Sequence, residues 1–463
     1  MLVITLNSLS KELKWVLHVV LSEFMSVPYR IVLDDTQSEK YIQFMYEERT
    51  LLVRQIFLLN KNSWFTVSSL PILPLQAWTP NYKGSLLSAN ILPVLFGSPE
   101  VEEIDNDIVR VEIDIFGTIF FMLSGYEELA NPKRNKYGNF SAYESISYKA
   151  GYLNRPVVDE YVKVLSELLK KFFSEEVFRE HKEQHNIYVS CDADHPLHCK
   201  GYKFPHILRP VAGDLLRRRS LKLAYQRLLN YWYSTTDPAY DFRLDPNNTF
   251  RWYMDVCEAA NLKAAFYFIS GHSAGRIDGC YNVENPYILA LFKQINERGH
   301  EIGLHPSYNS FRDEKQLKCE YDTLSRALSM VSPSLSIKGT RQHYLRWDVS
   351  CTPDYLDSLG VDYDTTGGFA DHPGFRYGTA REFTMWGWKE QRVLRLKQRP
   401  LIVMEASLFA KEFLNLKVED AFDLIMDFKR RALEYGNFTL LWHNNNLLKE
   451  QEKDLFKSIL SNV

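Results

Sequence analysis

From residue 187 onward the chain repeats one pattern, a short and almost wholly apolar run followed by a longer amphipathic stretch. The runs are Ile187 to Cys191, Ala264 to Ile269, Glu301 to Leu304, Ser336 to Gly339, Val361 to Asp364, Leu401 to Glu405 and Phe438 to Trp442. They are too short for helices and carry few polar residues, as strands do when both faces of a parallel sheet are covered. The stretches between them, such as Tyr287 to Glu297, Glu314 to Met330 and Val418 to Tyr435, have helical spacing, with Ala421, Leu424, Ile425 and Phe428 sharing one face of the last. Strand followed by helix predicts parallel strands joined by helical crossovers. Seven such units are expected to form a βα barrel, an open doubly wound sheet being the alternative. A predicted helical insertion at about 197–248 carries Arg217-Arg218-Arg219.

The first 185 residues lack this rhythm and read as a separate α+β domain. Strand-like runs at Tyr29 to Leu33, Tyr41 to Tyr46 and Leu51 to Leu59 mix with helical stripes. One stripe is Phe116, Ile119, Phe120 and Leu123; the other is Val158, Tyr161, Val162, Leu165, Leu168 and Leu169. Both are expected to be core. The charged stretch Glu175 to Glu183 reads as a helix end or linker, giving domains 1–185 and 186–463.

Lys+Arg number 55 and Asp+Glu 58, a net charge of −3, so no electrostatic reason favours a nucleic acid partner. The six cysteines form no C-x-x-C pair and fit a reduced compartment. No signal peptide is read in the first residues, and no apolar run reaches the roughly 20 residues that cross a bilayer. A cytoplasmic location is expected. The basic run of the insertion reads first as a solvated helix face and second as a phosphate or anionic-lipid site, the latter a route to peripheral membrane contact.

Polar residues collect where chemistry is expected in such folds, at the C-terminal ends of the strands. Asp192 and Asp194 follow the first run, His305 the third and Arg341 the fourth; Asp364 ends the fifth and His443 follows the seventh. In IYVSCDADHP the two aspartates stand two apart and point the same way in an extended chain. Like charges held that close make sense if one binds a metal and the other stays free as a base. In RGHEIGLHPSYNS, His300 and His305 have opposite strand parity. His305 is the better ligand, and His300 reads as structural. One helical turn after His305 would put Asn309 on its face as a weak oxygen ligand. Arg341, in GTRQHYLRW, is placed to fork onto a carboxylate. His443, in LLWHNNN, suits a proton donor.

At these residues the stretch from Asn186 to the end resembles the NodB-like polysaccharide deacetylases of carbohydrate esterase family 4. The resemblance implies a distorted seven-stranded (β/α) barrel that uses a divalent metal, usually zinc, to remove acetyl groups from N-acetylated sugars. It makes Asp192 the catalytic base, Asp194 and His305 metal ligands, Arg341 the residue that orients the base, and His443 the general acid. The family's second metal histidine, four residues after the first, is Asn309 here. The fourth motif has no clean match, with Asp364, Asp371 and Trp386 nearby. The preceding region, with DIFGTIFFMLSGYEEL and GYLNRPVVDEYV, resembles the N-terminal domain of a bacterial subgroup associated with surface-polysaccharide synthesis.

The substrate implied is an N-acetyl amino sugar in a glycan or surface-polysaccharide precursor. Tyr308, His343, Tyr344 and Asp364 are the nearest candidates to contact it. Further aromatics near strand ends are Trp347, Phe369, Phe375, Trp386 and Trp388, and the glycine-rich stretch Gly367 to Gly378 reads as a loop shaping access. The alternative is a noncatalytic glycan-binding or scaffold protein of a biosynthetic assembly, for which Asn309 is the argument.

Overall fold

The computed structural model describes residues 2–80, 90–173, 185–198, 204–237 and 240–461. The chain is a mixed α/β protein built on two principal sheets. The first uses β1 (Leu2–Leu6), β2 (Tyr29–Leu33), β3 (Tyr41–Tyr46), β4 (Arg49–Arg54), β7 (Gly97–Glu103) and β8 (Ile108–Ile113), with β5 (Gln76–Trp78) and β6 (Leu92–Val94) forming a separate pair. Its order is β2-β1-β3-β4-β8-β7, with parallel pairing at β1–β2 and β4–β8 and antiparallel pairing elsewhere. The expected third strand ends early, at Arg54, after which the chain turns toward Asp114.

The second sheet contains β9 (Ile187–Ala193), β10 (Ala264–Phe268), β11 (Glu301–Leu304), β12 (Gly339–Thr340), β13 (Tyr363–Asp364), β14 (Phe383–Gly387), β15 (Arg392–Gln398), β16 (Val403–Met404) and β17 (Phe438–Leu441). Each of the seven apolar runs overlaps one of these strands. The order β14-β15-β13-β12-β11-β10-β9-β17-β16 places the first strand of the set, β9, between the second and the last. The seven therefore progress in a single direction, without the reversal of a doubly wound sheet. The expected seven-stranded barrel is nonetheless not found as a closed barrel among the described residues. The sheet has nine strands, and among the described residues its end strands, β14 and β16, are not paired with each other. The two extra strands are an antiparallel hairpin whose second arm alternates buried and exposed residues. That half-solvated pattern differs from the all-apolar runs that marked the other seven.

The crossover helices Pro286–Glu297, Glu314–Val331 and Val418–Tyr435 lie where the spacing put them. The insertion contains the helices Leu208–Leu216 and Leu221–Thr236. The stretch Glu175 to Glu183 lies outside the described residues.

One apolar core runs through both halves of the chain. Both early stripes enter it, on the helices Ile115–Leu123 and Val157–Phe173. Trp15 packs against Phe120 (5.5 Å between ring centroids) and Trp386 (5.8 Å), and its indole N–H donates to the Thr384 carbonyl at 3.0 Å. Trp388 lies against Trp64 and Phe120 and donates to the Ser124 carbonyl at 2.8 Å. Trp347, Phe369 and Phe375 are also buried.

Residues Gly367 to Gly378, expected to shape access, instead form a buried seam between the halves. Asp371 accepts from the Ser141 hydroxyl and the Ala142 N–H. Arg376 grips Glu128 through Nε at 3.1 Å, with both side chains buried. Gly378, at φ +68°, comes so close that a Cβ would meet Met122 at 2.5 Å. Gly374 likewise leaves no room for a Cβ against Leu153, so these two glycines let the halves meet over the loop.

Two outcomes follow. Arg376→Ala strands the buried Glu128 carboxylate and should cost about 3–5 kcal/mol, read by denaturant melts as one shifted transition; separate transitions for the two halves would contradict the shared core. Burial pushes the Glu127 carboxyl up to about 8, with the neighbouring Glu128 adding to the rise and the Ile146 N–H opposing it. The folded chain holds this proton where the unfolded chain releases it near the usual carboxylate range, so this group's contribution to stability declines from about pH 4.5 to 8. Glu127→Gln should melt with wild type at pH 4 and above it at pH 9.

Candidate functional site

The C-terminal ends of β9, β11, β12, β13 and β17 converge on one group of polar side chains. In β9, Ser190 and Asp192 alternate inward, and Asp194 follows in the same phase. His305 follows β11, its N–H donating to the Phe268 carbonyl at 2.8 Å and so extending the ladder by a residue. Arg341 follows β12 in the same way, with its N–H on the Leu304 carbonyl at 3.0 Å.

Arg341 is buried at the centre. Nη1 donates to Asp192 Oδ1 at 3.0 Å and to the Ser190 hydroxyl at 2.8 Å; Nε and Nη2 donate to the carbonyl and hydroxyl of Thr365 at 3.2 and 3.1 Å. Asp192, itself buried, is thereby fixed with its second oxygen 3.7 Å from His305 Nε2.

His305 Nδ1 donates to the Arg341 carbonyl, so in the neutral imidazole the lone pair is on Nε2. That lone pair sits 3.1 Å from Asp194 Oδ1, and both atoms are buried without a hydrogen-bond partner. In that tautomer two acceptors face each other, an arrangement that a proton or a metal cation between them satisfies. A third donor completes the group. His343 Nδ1 bonds Asp278 at 3.0 Å, and its Nε2 faces Asp194 Oδ1 at 3.7 Å. Asp194, His305 and His343 present ligand atoms all within 4.8 Å of one another, so this Asp/His/His group could hold a metal ion. Donor separations of 3.1 and 3.7 Å bracket the ~3.4 Å expected for tetrahedral ligands about 2.1 Å from a metal. Each histidine has its other nitrogen tied to a carbonyl or carboxylate, the second layer that orients metal-binding imidazoles.

The charges fit a cation as well. Burial would raise the Asp194 carboxyl, but His343 and His305 outweigh it and hold it well below the usual range. Burial would lower the His343 imidazole, yet Asp194 and Asp278 raise it to about 9, so without a cation it holds a proton that metal binding would displace.

On the opposite side of Asp194 stands His443. Its Nδ1 bonds Glu405 at 2.6 Å and its Nε2 faces Asp194 Oδ2 at 3.7 Å. Burial opposes its protonation, but Glu405 first, then Asp194 and Asp192, push it up to about 10. A base candidate and a protonated donor thus flank the Asp/His/His group.

Of the residues expected at the site, Asp192, Asp194, His305, Arg341 and His443 are brought together, and three others are placed differently. Asn309 is exposed. Its Nδ2 donates to the Ser273 carbonyl at 3.1 Å and its Oδ1 accepts from Arg346, because residues 307–310 form a turn held by Ser273 instead of a helical face over His305. His343, expected to contact substrate, occupies the third donor position instead. Asp364 is fully buried and spent on structure: it accepts from the Thr366 N–H and hydroxyl, the Thr340 hydroxyl and Gln398. His300 is structural as expected, accepting from the Ala264 N–H and bonding Glu258.

Tyr308 and Tyr344 stand at the rim. Tyr344 is 44% exposed, its ring 4.8 Å from that of His343, 5.3 Å from Tyr308 and 5.6 Å from Tyr137 of the N-terminal half. Tyr137, Asp278 and Glu405 were missed. Glu405 ends the sixth apolar run and obeys the same strand-end rule as the others. Asp278 ends the short 3-10 helix Gly275–Asp278 well past β10, and Tyr137 lies in the other half of the chain, so neither carried a local signal.

Residues 1–174 match a family model described only as a family of unknown function, DUF7033. No curated protein matches the chain.

The donor set is open to a direct count. Purified wild type should carry about one equivalent of divalent metal by elemental analysis. Asp194→Ala, His305→Ala and His343→Ala should each lose it, while Asn309→Ala keeps it. Loss in Asn309→Ala with retention in His343→Ala would reverse the assignment.

Proposed function

We propose that the chain is a metal-dependent amide hydrolase that removes the N-acetyl group of an amino sugar in a glycan or surface-polysaccharide precursor. The observation that carries this reading is the triple arrangement at the strand ends: Arg341-held Asp192 on one side of the Asp194/His305/His343 group and Glu405-held His443 on the other. A divalent ion bound by those three residues, for which zinc suits one carboxylate and two imidazoles, would polarise an amide carbonyl and acidify water.

The chain's own groups do the rest. Asp192 keeps one oxygen on Arg341 and offers the other, 3.7 Å from His305 Nε2, to take the proton of an attacking water. The guanidinium keeps that carboxylate oriented as the proton arrives. His443 carries the proton that a departing sugar amine needs, and Glu405 stabilises the imidazolium until it is delivered. Acetate and a free amine leave. The Tyr344, Tyr308 and Tyr137 rings at the mouth suit the apolar face of a pyranose.

The reading of the chain as a noncatalytic glycan binder drew on Asn309. With His343 offering a third donor from the next strand end, that argument lapses.

The test is acetate release from a panel of free, nucleotide-linked and lipid-linked N-acetyl sugars, with and without added zinc. Asp192→Asn and His443→Gln should each lower kcat by about 10²- to 10⁴-fold while keeping bound metal. Asp194→Ala should lose both. Acetate release unaffected by Asp192→Asn, or absent from a metal-loaded wild type across the whole panel, would sink the proposal.

A further inference from the structure

The insertion between β9 and β10 is a helical hairpin with two very different sides. Inside, Ile207, Val211 and Ala224 form a small core of their own, separate from the main one, with Tyr231 packed against it. Asp214 is buried there and paired with Arg227 and, at 2.7 Å, with Arg218. The hairpin is thus built from within, and its outer side is not required to hold it together.

That outer side is apolar. On Leu221–Thr236 the residues Leu221, Tyr225, Leu228 and Trp232 fall at i, i+4, i+7 and i+11, within about 60° of arc. All four are exposed, Leu221 by 79% and Trp232 by 63%. The shorter helix Leu208–Leu216 likewise exposes Leu208, Leu215 and Leu216. An amphipathic helix normally turns such a stripe toward a core. Here the polar and charged residues, Asp214, Arg227 and Asn230, are inside and the leucines and aromatics outside.

Cations frame the stripe. Arg217, Arg218 and Arg219 occupy the turn joining the helices, with Lys222 after it and Arg209 on the shorter helix. Arg209, Arg217, Arg219 and Lys222 are exposed and make no ion pair among the described residues. In a chain of net charge −3, this is a local concentration of positive charge.

We propose that this hairpin lies on an anionic lipid surface, with the Leu221–Trp232 stripe in the headgroup region and the basic turn among the phosphates. The chemistry is that of interfacial helices, which combine leucine and tryptophan on the buried face with arginine and lysine beside it. Tryptophan and tyrosine favour that depth because a ring can be buried while its polar edge stays wet. A second copy of the chain fits worse, because two-fold pairing of this face would bring the same cations against each other. Among the described residues no helix is long and apolar enough to cross a membrane, so contact would lie in the plane of the surface. The inference stands apart from the proposed chemistry, since none of its residues belongs to the metal group.

The experiment is co-sedimentation of the full chain with vesicles of phosphatidylcholine alone or with about one-third phosphatidylglycerol, with sedimentation velocity run alongside. The chain should bind the anionic vesicles at least about tenfold more tightly than the neutral ones. Leu221→Ser/Trp232→Ser and Arg217→Glu/Arg219→Glu should each weaken that binding about tenfold or more, with unchanged circular dichroism. The proposal is overturned if wild type stays in the supernatant with anionic vesicles, or if binding survives loss of the stripe. It is equally overturned if the chain is a dimer that Leu221→Ser/Trp232→Ser dissociates.

Discussion

The site depends on the burial of a single guanidinium. Arg341 reaches across the mouth of the second sheet and binds Ser190 and Asp192 from β9 and Thr365 beyond β13, while its own carbonyl orients His305 beyond β11. A planar group with five fixed donors is suited to this, and no lysine could hold as many partners at once. Its charge offsets the carboxylate it touches, which allows two aspartates to stand close together in a largely buried place. One side chain therefore sets the position of the base candidate and, through its backbone, the tautomer of a metal-ligand candidate.

Much of this was legible because strand phase is a strong signal. Ser190, Asp192 and Asp194 share parity, so once Ile187 to Cys191 is read as a strand their direction follows. His305 and Arg341 were found by the same rule, and so could Glu405 have been. Asn309 and His343 are placed otherwise than expected for a different reason. The reading assumed a helical turn after His305, whereas Ser273 draws that segment away. It also had no means of foreseeing that Tyr344 and Leu345 both take positive φ, 61° and 51°, with no glycine to announce it. Such strain commonly marks sites where a side chain must be aimed against the local preference of the chain. Strand β15 escaped because its alternation of buried and exposed residues is unlike the fully buried runs that mark the other seven.

The first half of the chain contributes more than an attached module would. Its tryptophans and phenylalanines share a core with β14 and β15, and Asp159 at the start of the helix Val157–Phe173 accepts from Thr379 and Ala380 of the second half. Asn139 donates to the Tyr344 carbonyl at 2.8 Å, and Tyr137 packs beside the Tyr344 ring. The rim of the site is therefore assembled from both halves, although the Asp/His/His group comes from the second alone.

His343 directly precedes the left-handed pair and Tyr344 opens it, the one facing Asp194 and the other facing solvent. Because a single backbone kink aims both, anything that shifts the ring at the mouth also moves the imidazole beneath it. The geometry of the Asp/His/His group and the shape of the rim above it cannot drift independently along this loop, and a change that loosens one alters the other.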